Sequence, residues 1–132
     1  MTALEVLSIE SCIQNWSPEL RESLMATNER IRSLKTDKQV RANYAALNTE
    51  FHHQIEQFYN NSEAEGLLSQ YRRLVVGNRS RSLERAREAA DEHQRLIDAL
   101  ERGSVSEART AFLEHGYRSR DVSVDAIFGE AK

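Results

Sequence analysis

The stretch that decides the fold is Asp91-Glu-His-Gln-Arg-Leu-Ile-Asp-Ala-Leu-Glu-Arg-Gly103, followed directly by Ser104-Val-Ser-Glu-Ala-Arg-Thr-Ala-Phe-Leu-Glu-His115. The pattern predicts two helices joined by one tight turn. Gly103 suits the left-handed position just past a helix end. Ser104 is followed three residues later by Glu107, which is the spacing of a capping box at a helix start. The two helices are therefore predicted to run antiparallel.

His93 and His115 lie at nearly the same height on these two helices. His93 lies nine residues before Arg102, and His115 lies eleven after Ser104. At about 1.5 Å per residue, they are roughly 14 and 17 Å from the turn. Each shares a helix face with apolar residues, so both imidazoles are expected to point into the bundle. A lone histidine there is more often a hydrogen-bonded core residue than a metal ligand, and a third histidine is needed to favour a metal.

Length, composition and charge limit the class of protein. With 132 residues, the chain is expected to be a single domain over 1–132. One proline, five glycines and no clear period-two runs favour helices. A net charge of −3 argues against nucleic acid as a direct partner. The lone Cys12 permits no internal disulfide, and no signal peptide or 18-residue apolar run occurs, so a cytoplasmic protein is expected, with no membrane span.

Apolar residues at helical spacing predict three helices before residue 60. The first covers Thr2 to Trp16, and its many apolar residues belong either to the core or to an oligomer interface. The second begins at Ser17, with Pro18 in its first turn. The third begins after a cap at Thr36 and is strongly amphipathic.

Capping signals then predict a fourth helix and a long final one. The pair Asn60-Asn61 is expected to close the third helix, and Ser62 with Glu65 repeats the capping-box spacing. This fourth helix is expected to stop at Gly77-Asn78. The last helix is expected to continue beyond His115 to Ile127.

The third helix supplies the third histidine. On a helical wheel centred on Phe51, Asn48 and His52 lie at about 60° and 100°, on the shoulder of the apolar stripe. They are one turn apart on a single side, the arrangement by which one helix offers two ligands to a metal. His53 lies near 200° on the same wheel and is expected at the solvated surface.

Six arginines form the only basic concentration in the chain: Arg72, Arg73, Arg79, Arg81, Arg85 and Arg87. A solvated face paired with nearby glutamates is the commonest explanation of such a pattern. A nucleic-acid patch is disfavoured because no aromatic residues are interleaved. The third interpretation is an arginine directed at an anionic ligand, for which Arg72, Arg79 and Arg81 are the candidates.

The ordered motifs of the chain resemble a known family. They are Asn48-x-x-Phe-His52, then Asn61, then Glu92-His93-x-x-Leu-Ile-x-Ala-Leu-x-x-Gly103, then Ala108 and Glu114-His115. From about Leu4 to Val122, this order resembles the C-terminal effector-binding (FCD) domain of FadR-type GntR transcription regulators. The resemblance implies an all-α antiparallel bundle of six to seven helices, a homodimer, and a sensor of a small carboxylate metabolite rather than an enzyme.

The resemblance also implies a divalent metal ion, Zn, Ni, Mn or Fe, held by one aspartate and three histidines. The histidines correspond to His52, His93 and His115, and the aspartate position is Asn48. An amide oxygen is a weaker, uncharged ligand, so this is a departure from the family pattern. A second departure is that Met1 opens directly on the first bundle helix, where the family carries a winged helix-turn-helix. We therefore expect a sensing domain that does not bind an operator by itself.

Two alternatives remain open at this stage. One is a mononuclear metal-dependent hydrolase in a helical bundle, and the other is a metal-free structural bundle with three core histidines. Catalysis would need a carboxylate as general base, whereas Glu50, Glu92 and Glu114 each neighbour a candidate ligand and so point about 100° away on the helix. A di-iron bundle is disfavoured because neither His93 nor His115 has a glutamate three residues before it.

Overall fold

The computed structural model describes residues 2–58 and 82–115, with side chains from residue 8 onward. These residues form helices and turns, with no strand among them, so the predicted all-α class is confirmed. The helices are α1 (Thr2–Gln14), α2 (Pro18–Arg32), α3 (Asp37–Glu56), α4 (Leu83–Glu101) and α5 (105–115). The expected count of six to seven is not matched within the described ranges. The helix expected from Ser62 and the extension beyond His115 lie outside those ranges.

Side-chain caps begin the helices as the sequence predicts. The Ser17 hydroxyl accepts from the Leu20 N–H at 3.1 Å, and Pro18 takes the first helical position. Thr36 caps α3 in the same way, and Ser82, which was not predicted, caps α4. The end of α3 was predicted too late, because the helix ends at Glu56 and not at Asn60-Asn61.

The turn between α4 and α5 has the predicted geometry. Gly103 has a φ of +68°, the left-handed conformation that glycine adopts without steric cost. The Ser104 N–H donates to the Ala99 carbonyl at 3.1 Å, and the Ser104 hydroxyl accepts from the Glu107 N–H at 3.2 Å. The Glu107 carboxylate pairs with Arg102 at 2.7 Å. These short-range hydrogen bonds make α5 run antiparallel to α4, and this arrangement brings His115 to the same height as His93.

The buried core consists of two apolar clusters at different heights along the helices. The first lies toward the α4–α5 turn and includes Ile9, Cys12, Leu20, Leu24, Phe51, Ile55, Leu96, Ile97, Leu100, Ala108 and Phe112. The second includes Ile31, Leu34, Val40, Tyr44, Leu47, Ala86, Ala89 and Ala90. Along α2, α3 and α4 these residues recur at helical spacing. Burial of Ile9 and Cys12 places α1 in the core, and Cys12 is a free buried thiol.

A layer of buried polar residues separates the two clusters on three helices. Between Leu24 and Ile31 on α2 lies Asn28, which is 1% exposed. On α3 the corresponding residues are Asn48 and His52, and on α4 they are Glu92 and His93, all buried. Buried polar groups are costly unless they are hydrogen-bonded, so this layer is the part of the bundle to examine for function. None of the helices in the described ranges is long and apolar enough to span a membrane.

Candidate metal centre

Three buried imidazoles from three helices converge in this layer. His52, His93 and His115 are 6%, 0% and 3% exposed. One ring nitrogen of each lies within 4.8 Å of the others. The Nε2 atom of His115 lies 3.2 Å from Nε2 of His93 and 3.3 Å from Nε2 of His52.

The nitrogen spacing matches that of ligands around a small divalent ion. In a tetrahedral site with metal–nitrogen bonds of about 2.0–2.1 Å, the ligand nitrogens lie about 3.3 Å apart. The two Nε2 separations from His115, 3.2 Å to His93 and 3.3 Å to His52, have this value. The distances of His115 from both other histidines therefore fit coordination of one shared metal ion.

Asn28 determines which nitrogen of His93 carries hydrogen. The Asn28 amide nitrogen donates to the Ala90 carbonyl at 2.9 Å, and a carbonyl can only accept. The Asn28 oxygen consequently faces Nδ1 of His93, at 3.1 Å. An oxygen needs a donor, so His93 carries its hydrogen on Nδ1, and Nε2 of the neutral ring presents a lone pair.

Glu92 determines which nitrogen of His115 carries hydrogen. Nδ1 of His115 donates to the Glu92 carboxylate at 2.6 Å, and Arg85 donates to both carboxylate oxygens at 3.2 Å. Burial by itself would raise the pKa of Glu92, but the hydrogen bonds and charges of His115 and Arg85 outweigh that effect and lower the pKa to about 2. Glu92 is thus an ionised acceptor, so His115 carries hydrogen on Nδ1, and its Nε2 presents a lone pair whenever the ring is neutral.

These assignments have a direct chemical consequence. With hydrogen on both Nδ1 atoms, neutral His93 and His115 direct two lone pairs at each other across 3.2 Å. Two acceptors cannot hydrogen-bond to one another, so the contact requires a cation between them, which is either a metal ion or a proton taken up by one ring. Metal-bound histidines typically donate their outer N–H to a carboxylate or a carbonyl oxygen, as His93 and His115 do here.

Glu92 has a role that the sequence did not reveal. Glu50 and Glu114 point away from the neighbouring histidines, as expected, and both are exposed. Glu92 also leaves the face of His93, as expected, but it turns toward His115 on the neighbouring helix. Because α4 is covered on two sides, adjacent positions on it can both be buried. Asn28 was missed as well, although a polar residue inside the apolar stripe of α2 was a readable signal.

The other predicted site residues have these positions. Asn48 is buried one turn before His52, and its oxygen accepts from the Tyr44 hydroxyl at 3.4 Å. His53 is exposed, as the helical phase predicts. Arg72, Arg79 and Arg81 lie outside the described residues. Arg85, from the same basic stretch, is not on a solvated face, because it is buried against Glu92.

Aromatic rings surround the imidazoles. Phe51 stacks on His93, with centroids 4.0 Å apart and planes inclined by 12°. Phe112 meets His52 edge-on at 5.5 Å. These contacts restrict the ring rotations of both histidines and exclude water, which strengthens electrostatic interactions inside the centre.

Comparison with known proteins identifies the family of the chain. A family model described as the FCD domain matches residues 1–118. No curated protein and no solved structure matches the chain. FCD domains are effector-binding domains of FadR/GntR-type transcription regulators and are not enzymes, so the hydrolase interpretation is set aside. The match covers most of the chain, which therefore belongs to the FCD domain family.

Proposed function

We propose that this domain senses a small carboxylate metabolite at or near a divalent metal ion held by His52, His93 and His115. The observation that carries the proposal is the convergence of three buried histidines, with Nε2 of His115 at ligand spacing from Nε2 of both His52 and His93. Asn48, buried on the same helix as His52, is proposed as an oxygen donor. Imidazole and amide donors suit Zn, Ni, Mn or Fe, and a small donor set leaves positions open for an effector.

The charge balance of the centre favours an anionic effector. The three imidazoles and the Asn48 amide add no negative charge to the ion, and the charge of Glu92 is matched by Arg85. A buried divalent ion would therefore keep most of its positive charge, which attracts a carboxylate. Arg72, Arg79 and Arg81 are proposed as a second anchor for it.

Assembly and location follow from the family as proposals. FCD domains bind small-molecule effectors in regulators and commonly dimerise. We expect a homodimer in the cytoplasm. Light scattering tests the first expectation, and a strictly monomeric mass at high concentration would contradict it.

Elemental analysis of protein purified without a nickel column is the decisive experiment. A divalent metal present in stoichiometric amount would support the centre. Metal-free protein that also fails to take up added zinc, nickel, manganese or iron would favour the structural bundle and end the proposal.

A thermal-shift screen of hydroxy acids, dicarboxylates and amino acids then tests the effector. Each carboxylate is added to metal-loaded protein and to protein stripped by a chelator. A stabilising ligand whose effect requires metal supports binding at the ion. A shift that survives complete metal removal would place the effector elsewhere in the bundle.

A further inference from the structure

We propose that Asn28 and Glu92 are positioning residues of this centre, each fixing hydrogen on Nδ1 of one histidine and so directing its Nε2 lone pair inward. Arg85 acts on the centre through Glu92. This inference rests on the proposed metal site, but its first test uses metal-free protein.

Asn28 is suited to this role because its amide cannot easily turn over. A rotated amide would face the Ala90 carbonyl with its oxygen, which places two acceptors together in the core. It would also offer N–H to Nδ1 of His93 and favour the tautomer with hydrogen on Nε2. That tautomer cannot bind an ion through Nε2. The hydrogen bond from Asn28 to the α4 backbone thus favours the tautomer of His93 that can bind a metal ion through Nε2.

Glu92 is held by two donors from Arg85, so both of its oxygens are engaged. The Arg85 charge offsets the cost of burying the carboxylate and orients it toward His115. A charged acceptor raises the basicity of the histidine that it contacts more than a neutral amide does. We therefore expect His115 to lose more from a change at Glu92 than His93 loses from one at Asn28.

The first test is nitrogen-15 NMR of the histidine rings in the metal-free wild-type protein. The neutral histidine side chain in water prefers hydrogen on Nε2, so hydrogen on Nδ1 is a distinctive result. Nδ1 of both His93 and His115 should be protonated. An unprotonated Nδ1 on either ring would overturn the assignment for that residue, and this test requires no variant to fold.

The second test measures zinc affinity in matched variants. Glu92→Gln and Asn28→Leu should weaken zinc binding by about 10–100-fold, the usual effect of losing a residue that orients a metal ligand. Asn28→Asp keeps an acceptor oxygen and should recover most of the loss. The controls are Glu114→Gln, next to His115 but exposed, and Asn43→Leu, exposed on α3.

The outcomes separate this inference from the proposed function. Wild-type affinity in Glu92→Gln and Asn28→Leu would overturn the positioning roles while leaving the metal site intact. A wild-type protein that takes up no zinc would remove the metal function, and with it the metal role of both residues. Loss of affinity with Asn28→Asp as severe as with Asn28→Leu would overturn the role of Asn28 as an acceptor.

Discussion

The Nε2 atoms of His93 and His115 lie 3.2 Å apart, on rings inclined by 64° with centroids 4.6 Å apart. The outer nitrogen of each ring already donates, to Asn28 and to Glu92 respectively. The facing nitrogens are therefore acceptors in the neutral rings, and their contact is satisfied by a metal ion between them or by a proton on one ring. This relationship motivates the first three predictions.

Replacing His93 should abolish metal binding. His93→Ala removes one ligand nitrogen and also leaves a cavity against Phe51, so both metal content and unfolding free energy should fall. Elemental analysis and calorimetric titration with zinc measure the first effect. His53→Ala, on the exposed side of α3, is the control and should keep the metal. Loss of metal from His53→Ala but not from His52→Ala would refute the assigned ligands.

Asn48→Asp should tighten metal binding, because an anionic oxygen replaces a neutral one next to the ion. An increase in affinity of about tenfold corresponds to about 1.4 kcal/mol. Asn43→Asp makes the same charge change at an exposed position of α3 and should have little effect. Equal gains in both variants would show that general charge, and not a donor at Asn48, is responsible.

Metal removal should lower thermal stability, because the ion binds only the folded centre. At free metal 100 times its dissociation constant, binding contributes about 2.7 kcal/mol, or roughly 10 °C in melting temperature for a domain of this size. Calorimetry with and without a chelator measures the difference. The His93→Ala variant should melt at the same temperature in both conditions, and a chelator effect that persists in it would point to another site.

Gly103→Ala should destabilise the fold by about 1 kcal/mol, because a β-carbon strains the left-handed backbone there. Apart from Gly103 and the residues on either side of it, no atom lies within 4 Å of the position that the β-carbon would occupy, so the cost comes from the local backbone. Gly103→Asn should cost less, since asparagine tolerates this conformation better. Urea unfolding gives both values, and an unaffected alanine variant would contradict the assigned φ.

Cys12 should make stability fall as the pH rises above 9. Burial raises the pKa of this thiol from 9.0 to about 12. The unfolded chain therefore loses the proton near pH 9, whereas the folded chain keeps it, and alkaline conditions favour unfolding. The loss is about 1.4 kcal/mol at pH 10. Urea titrations at pH 8 and 10 test this, since Cys12→Ala should lack that part of the decline.

Local chemistry in the sequence determined where helices begin and which faces are buried. The side chains of Ser17, Thr36 and Ser104 accept hydrogen bonds from backbone N–H groups in the first turns of the helices that they cap. Gly103 occupies a position whose left-handed backbone would strain a residue with a β-carbon. Helical phase likewise separates His52 from His53, because adjacent residues differ by about 100°. These features depend on neighbours a few residues away, which the sequence displays directly.

Only the tertiary structure decided what the polar residues contact. A wheel for α4 alone turns Glu92 away from His93, but it contains no information about α5, which supplies His115 as the partner of Glu92. Asn28 meets His93 across 65 residues of chain, and Arg85 reaches Glu92 because that side of α4 is covered. Such contacts depend on how the helices pack against one another. Helical periodicity predicts the direction in which a side chain points, but it does not predict which neighbouring helix the side chain contacts.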